Sequence, residues 1–145
     1  MIRGSRSPSS YPLPRLAMSK YKNIKCKYDG VVFDSKAEAS YYLSHLKPRL
    51  DRGEISNLEF HPKVKCEIEG RHICYYTADF RYLDKLSESP QGAVGCQVLV
   101  EVKGYKTDVY KLKIKLVRAL YPHMKILVIS AKDLKSEISS LPLPE

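Results

Sequence analysis

The stretch LVEVKGYKTDVYKLKIKL, residues 99–116, reads as the end of a strand, a turn and the first turns of a helix. Its apolar start, Leu99 and Val100, belongs to a core, yet Glu101 and Lys103 follow at once. Side chains alternate between the two faces of a strand, so these two charges share one face. Charged side chains are almost never fully buried without a partner, because desolvating a lone charge is costly. Two readings account for the pair. Either it is an ion pair at a strand end that has reached solvent, or it is a metal-binding carboxylate beside a catalytic lysine.

Working outward, QVLVEVK (97–103) is short, apolar and β-branched, the signature of a buried strand. Gly104 follows it, and Thr107 is placed to cap a helix through DVYKLKIKLVRAL. Val109, Leu112, Leu116, Ala119 and Leu120 make the expected apolar face, with Lys111, Lys115 and Arg118 opposite. Pro122 closes the helix, and KILVIS (125–130) reads as a last buried strand. A strand, a crossover helix and another strand imply a parallel pair covered by the helix. AKDLKSEISSL (131–141) reads as a final short helix.

Upstream, KNIKCKYDGVVFDS (22–35) predicts a hairpin turning at Asp29 and Gly30. A helix follows over SKAEASYYLSHLKPRLDRG (35–53). Ser35 and Glu38 form a capping-box pattern, and Ala39, Tyr42, Leu43, Leu46 and Leu50 recur at helical spacing. Pro48 is expected to kink the helix or end it early. LEFHPKVKCEIE (58–69) and ICYYTADFRYLD (73–84) are read as two strands joined at Gly70, and KLSESPQGAVG (85–95) as a polar loop. The expected fold is therefore α/β: helix, three strands, helix, strand, with a mixed central sheet and a short hairpin in front.

With 145 residues, 43% of them hydrophobic and 28% charged, the chain has the composition of one soluble globular domain. No apolar run approaches the ~20 residues of a membrane span, so no membrane association is expected and a bacterial host cytoplasm is the expected compartment. Residues 1–19 are read as a disordered basic arm or start-site extension, 20–139 as the domain and 140–145 as a flexible tail. A formal charge of +9 and a pI near 9.4 point to a polyanionic partner, nucleic acid first. Basic residues cluster, six against two acids over 101–118. Cys26, Cys66, Cys74 and Cys96 form no C-x-x-C pair, which argues against structural zinc. Cys66 and Cys74 flank the Gly70 turn as reduced thiols, and the four histidines show no triad-like pattern.

Three acids stand out against this background: Glu38 on the first helix, Asp79 in the second of the paired strands, and Glu101 two residues before Lys103. In order and spacing they resemble the PD-(D/E)XK nuclease superfamily, here as T-A-D-F (77–80) and E-V-K (101–103). The usual proline before the aspartate is replaced by Ala78. FDSKAEA (33–39), ADFRY (78–82) and VKGYKTDVYKLKIKL (102–116) are similar to segments of an uncharacterised phage-encoded branch of that superfamily.

The resemblance implies a restriction-endonuclease-like core and Mg²⁺-dependent hydrolysis of DNA, with Mn²⁺ able to substitute. Phosphodiester hydrolysis brings a negative nucleophile to a negative phosphate, so charge must be neutralised on both. The implied ligands are Asp79, Glu101 and the Val102 carbonyl, with Glu38 acting through water or a second metal. Lys103 would orient water or stabilise charge on phosphate. Lys106, Tyr110, Lys111 and Lys113 are the expected DNA contacts.

A chain of this size favours recognition of DNA shape over sequence, and by analogy with Holliday-junction resolvases the expected substrate is branched DNA bound by a homodimer. Two other readings stand beside this one: a basic DNA-binding module whose acids are structural pairs, and a nuclease subunit of a larger DNA-processing complex. Nothing in the residues separates DNA from RNA.

Overall fold

The computed structural model describes residues 24–145. The expectation of a basic arm over residues 1–19 lies outside the described residues. The described chain is a mixed α/β structure built on a four-stranded sheet.

The strand that carries the charged pair, β7 (Val94–Lys103), is central in that sheet. It pairs antiparallel with β6 (Phe80–Glu88) and parallel with β8 (Lys125–Ser130), and β3 (Ile55–Phe60) completes the order β3-β6-β7-β8. The parallel register runs Val100 to Leu127 and Glu101 to Val128. Helix α3 (Asp108–Leu120) makes the crossover, and Thr107 caps it by accepting the Tyr110 N–H at 3.1 Å. β8 is half-buried along its length, as befits an edge strand, rather than a fully buried one.

Two layers cover the sheet. On one face lie the hairpin β1 (Cys26–Tyr28) and β2 (Val31–Phe33), the first helix and the C-terminal helix. Phe33, Tyr42, Phe60 and Phe80 pack there, with ring centroids 5.4 to 6.4 Å apart. Burial of each such ring contributes about 1.5–3 kcal/mol. On the other face lie α3 and the hairpin β4 (Lys63–Ile68) and β5 (Arg71–Thr77). Asp29 (φ 51°) and Gly30 (φ 76°) turn the first hairpin, Glu69 (φ 48°) and Gly70 (φ 76°) the second. Both positive angles in each suit the right-handed twist of the flanking strands.

The first helix runs as α1 (Lys36–Tyr41), a π-helical turn over Tyr42–Leu46 and α2 (Lys47–Asp51). Pro48 therefore neither ends the helix nor breaks it. Proline cannot give an N–H to the carbonyl four residues back. The wider turn just before it, in which the Lys47 N–H bonds the Tyr42 carbonyl, absorbs that loss.

Four further expectations are corrected. The two long strands of 58–69 and 73–84 are each broken, at His61-Pro62 and at Ala78-Asp79, into four shorter ones. Both breaks lie at the same level: the His61 N–H bonds the Asp79 carbonyl at 2.9 Å and the Ala78 N–H bonds the Pro62 carbonyl at 3.1 Å. The ribbon bends there as a unit, leaving β3 and β6 in the central sheet while β4 and β5 fold against α3. Proline without a donor and His61 at φ 53° are the local cause. The polar loop shrinks to residues 89–93, because β6 and β7 extend into it.

The buried face of α3 is Tyr110, Ile114 and Val117, whereas Val109 and Leu112 are 63% and 69% exposed. The lysine-leucine alternation admits both faces, and the β4–β5 hairpin decides between them by packing Val64, Cys66 and Tyr76 against the Tyr110 side. The tail, finally, is tied down rather than free. Its Pro142 carbonyl accepts the Tyr28 hydroxyl at 2.7 Å, and the Glu145 N–H bonds the Lys27 carbonyl at 2.9 Å.

Candidate active site

The four residues singled out in the sequence meet at one end of the sheet. Glu38, Asp79, Glu101, Val102 and Lys103 line a single cleft of about 420 Å³. They come from three separate parts of the chain.

Glu38 arrives on the first turn of α1. Ser35 caps that helix by accepting the Glu38 N–H at 3.2 Å, and its hydroxyl donates to Glu38 Oε1, also at 3.2 Å. The capping residue thus holds the carboxylate as well as the backbone, so capping and a place in the cleft wall coexist. Glu38 Oε2 lies 3.3 Å from His61 Nε2, and the residue is 7% exposed. Burial raises its pKa, the His61 contact lowers it and Asp34 raises it, with a net shift upward.

Asp79 sits in the bend between β5 and β6, not within a strand as the sequence suggested. Its N–H continues the ladder to the Val100 carbonyl at 3.0 Å. Beyond that point β5 has peeled away, and the Asp79 carboxylate takes over as acceptor, receiving the Val102 N–H at Oδ2 over 2.6 Å. The strand break therefore creates the position, because a side chain must replace the missing backbone partner. Burial, then the charges of Glu101 and Glu38, push the Asp79 pKa up to about 8, against the lowering effect of the Val102 N–H and Lys103.

Glu101 lies on the α3 face of β7 and is 5% exposed. Oε2 accepts the Tyr76 hydroxyl at 2.9 Å, and Oε1 lies 3.3 Å from Lys103 Nζ. Burial raises its pKa more than Lys103 and Tyr76 lower it. Burial and the Glu101 charge in turn drive the Tyr76 hydroxyl far up, so it stays a donor. Lys103 crosses the Tyr110 ring at 4.9 Å from its centroid. That geometry aligns a cation with the negative face of an aromatic ring.

The cleft wall also includes Asp34, which makes four acids against one lysine. In a chain of net charge +9 this is a concentrated negative patch. Carboxylate oxygens form a hard-donor set, which fits Mg²⁺ or Mn²⁺ and does not fit zinc thiolate chemistry. Asp34, Glu38 and His61 place donor atoms within 4.8 Å of one another. His61 and Asp34 were missed in the sequence. The available signal was the His61-Pro62 pair inside an alternating strand, which marks a bend at which a side chain is re-aimed.

The expected DNA contacts divide. Lys106 and Lys111 are exposed and line a neighbouring cleft with Lys103. Lys113 is half-buried and donates to the Tyr75 carbonyl at 3.1 Å. Tyr110 is corrected outright: it is buried, its hydroxyl has no hydrogen-bond partner among the described residues, and it forms the floor beneath Lys103. The thiols of Cys66 and Cys74 are paired in register across β4 and β5, and both are free.

No described helix is long and apolar enough to cross a membrane. Neither the curated proteins nor the solved structures hold a match to this chain. A family model does match it, over residues 18–137, and the chain belongs to that family, DUF1064, whose description is a protein of unknown function.

Proposed function

We propose that this protein is a divalent-metal-dependent DNA endonuclease with a restriction-endonuclease-like core, phage-encoded and selective for DNA structure. The observation that carries the reading is the convergence of Glu38, Asp79, Glu101 and Lys103 on one cleft from α1, a strand bend and β7. Surface ion pairs have no reason to gather three carboxylates where burial raises the pKa of each and neighbouring acids raise those of Asp79 and Glu38 further.

Asp79, Glu101 and the Val102 carbonyl would hold Mg²⁺ or Mn²⁺, with Glu38, His61 and Asp34 beside them. A bound divalent cation supplies charge neutralisation and an acidified water. The chain's own residues do the rest. The Val102 N–H fixes one Asp79 oxygen, and the Tyr76 hydroxyl fixes one Glu101 oxygen, so both carboxylates are oriented before any ligand arrives. Lys103 restrains Glu101 through its ammonium and presents that charge to a phosphate entering the cleft. Lys106 and Lys111 extend the positive surface along which a phosphate backbone is held. A homodimer placing two such clefts on a branched substrate fits the structure-selective reading.

The test is cleavage of a labelled panel (linear duplex, single strand, flap, fork and four-way junction) with Mg²⁺, Mn²⁺ or EDTA, using wild type, Glu101→Ala and Lys103→Ala. Metal-dependent cutting lost in both variants is expected. Binding without cutting, the same in all three proteins, would overturn the active-site assignment.

A further inference from the structure

The hairpin that packs on α3 carries one thiol on each strand, and the pairing of the strands sets the two against each other. In the register of β4 and β5, Val64 faces Tyr76 and Cys66 faces Cys74. Residues directly opposite in an antiparallel pair share one face of the ribbon. Here it is the inner face: Val64, Cys66 and Tyr76 are buried in one cluster with Ile114 and Val117 of α3, and Cys74 packs at its margin. Residues so paired have Cα atoms about 4.5–5.5 Å apart, within the span of about 4.4–6.8 Å that a disulfide bridges without moving the backbone. Both thiols are free.

Packing alone asks for neither sulfur. A buried thiol fills space like a small apolar side chain, and its reactivity is what sets it apart from alanine or valine. Cys26 and Cys96 belong to the core on the other face of the sheet, so the pair has no competing thiol on its own face. The two sulfurs differ in access: Cys66 is fully buried and Cys74 half-buried. Burial, with the Cys74 thiol facing it, holds the Cys66 thiol above its ordinary pKa, so Cys66 keeps its proton at neutral pH. Lys113, bonded to the Tyr75 carbonyl at 3.1 Å, places a cation beside the pair and works against that effect of burial.

We propose that Cys66 and Cys74 are a reversible disulfide site, oxidised by hydrogen peroxide and reduced by dithiols, that fastens β4 to β5. Cys74, the accessible sulfur, attacks the peroxide as its thiolate. An S–O bond forms, the O–O bond breaks, and the departing hydroxide takes up the proton that Cys74 released, giving water. The Cys66 sulfur then attacks Cys74: the S–S bond forms, the S–O bond breaks, and hydroxide leaves with the Cys66 proton as a second water. Two thiols thereby lose two electrons and two protons, and the peroxide is reduced to two waters. A dithiol reverses the bond by exchange. Tyr76, which donates to Glu101 at 2.9 Å, stands two residues from Cys74 on the same face, so the bond fastens the strand that orients this carboxylate.

The experiment exposes the full chain to hydrogen peroxide, traps the remaining thiols by alkylation under denaturing conditions, and maps the peptides. The proteins are wild type, Cys74→Ala and Cys66→Ala, each checked for folding by circular dichroism; Cys74→Ala, at the half-buried position, serves as the control even if the buried substitution fails to fold. In wild type the thiol count is expected to fall from four to two, with Cys66 joined to Cys74. The melting temperature should rise by about 5 °C or more and return to its starting value with dithiothreitol. Cys74→Ala should form no bridge and show no rise. Folded Cys66→Ala, which lacks the resolving sulfur, should stop at an oxygen added to Cys74. Four thiols surviving in wild type, an oxidised Cys74 in place of a bridge, a bridge between two chains or other cysteines, or a Cys66–Cys74 bridge that fails to raise the melting temperature would overturn the proposal. Neither metal nor DNA enters the measurement, so its outcome is independent of the nuclease reading.

Discussion

Lys103 Nζ and Glu101 Oε1 lie 3.3 Å apart, two residues along one strand, with the glutamate buried and the lysine reaching the cleft. The pair is thus neither a surface salt bridge nor a wholly internal one. Glu101 is also held by Tyr76, so its orientation survives loss of the lysine, while the charge offered to a phosphate does not. Lys103→Met is expected to lower single-turnover cleavage by about 10²–10³-fold, the usual loss when one charge-stabilising donor is removed. Its unfolding midpoint should stay near wild type. Full activity in Lys103→Met would remove the lysine from the chemistry.

Asp79 links the site to pH. Unfolded, it loses its proton near 3.8, and folded near 8, because burial and the charges of Glu101 and Glu38 oppose ionisation. Between those values the native state holds a proton that the unfolded chain has released. The associated stability is complete below 3.8 and is lost as pH rises through about 8. Urea midpoints in EDTA should therefore fall from about pH 5 to about pH 8. Asp79→Asn should flatten the slope, and saturating Mn²⁺ should reduce it by binding the ionised form. A midpoint that stays level or climbs with pH over this window would show that folding does not raise the Asp79 pKa.

Away from the cleft, Asp84 is buried and accepts from Arg49 Nη2 at 2.9 Å, from the Ser87 hydroxyl at 2.7 Å and from the Leu86 and Ser87 N–H groups. Burial alone would raise its pKa, but these donors outweigh it and hold the carboxyl at about 2. Arg49→Ala leaves that charge buried without its cation and should cost about 3 kcal/mol. Asp84's contribution is present above 3.8 and lost as pH falls towards 2, the opposite direction to Asp79. Equilibrium unfolding of the variant measures the cost. A change below about 0.5 kcal/mol would mean that the neighbouring hydrogen bonds suffice.

His61 holds Glu38 Oε2 at 3.3 Å and stands 3.6 Å from Asp34. Whether it orients Glu38 or ligates directly, its removal should weaken Mn²⁺ binding by about tenfold. Titration calorimetry of His61→Ala measures this, with circular dichroism as a check on the bend. Unaltered Mn²⁺ affinity would make His61 a hinge residue only.

Much of this was legible from local rules. Asp29-Gly30 turns the hairpin, Ser35 caps the first helix and Thr107 the crossover helix, because each depends on neighbours a few residues away. The apolar run before Glu101 identified the central strand for a similar reason: only a strand covered on both faces tolerates Val98, Leu99 and Val100 in succession.

The sequence by itself determined the α/β order of elements and the quartet of polar residues that the core cannot explain. Only the tertiary structure decided where a strand stops and which side of α3 is covered. Asp79 occupies its place because Pro62 and His61 bend one strand while the paired strand bends with it, a cooperation between segments far apart in sequence. Tyr110 rather than Val109 or Leu112 is buried because the β4–β5 hairpin folds back over that face. Local propensity fixes backbone conformation residue by residue, whereas burial is a property of surfaces that meet only once the chain has closed on itself.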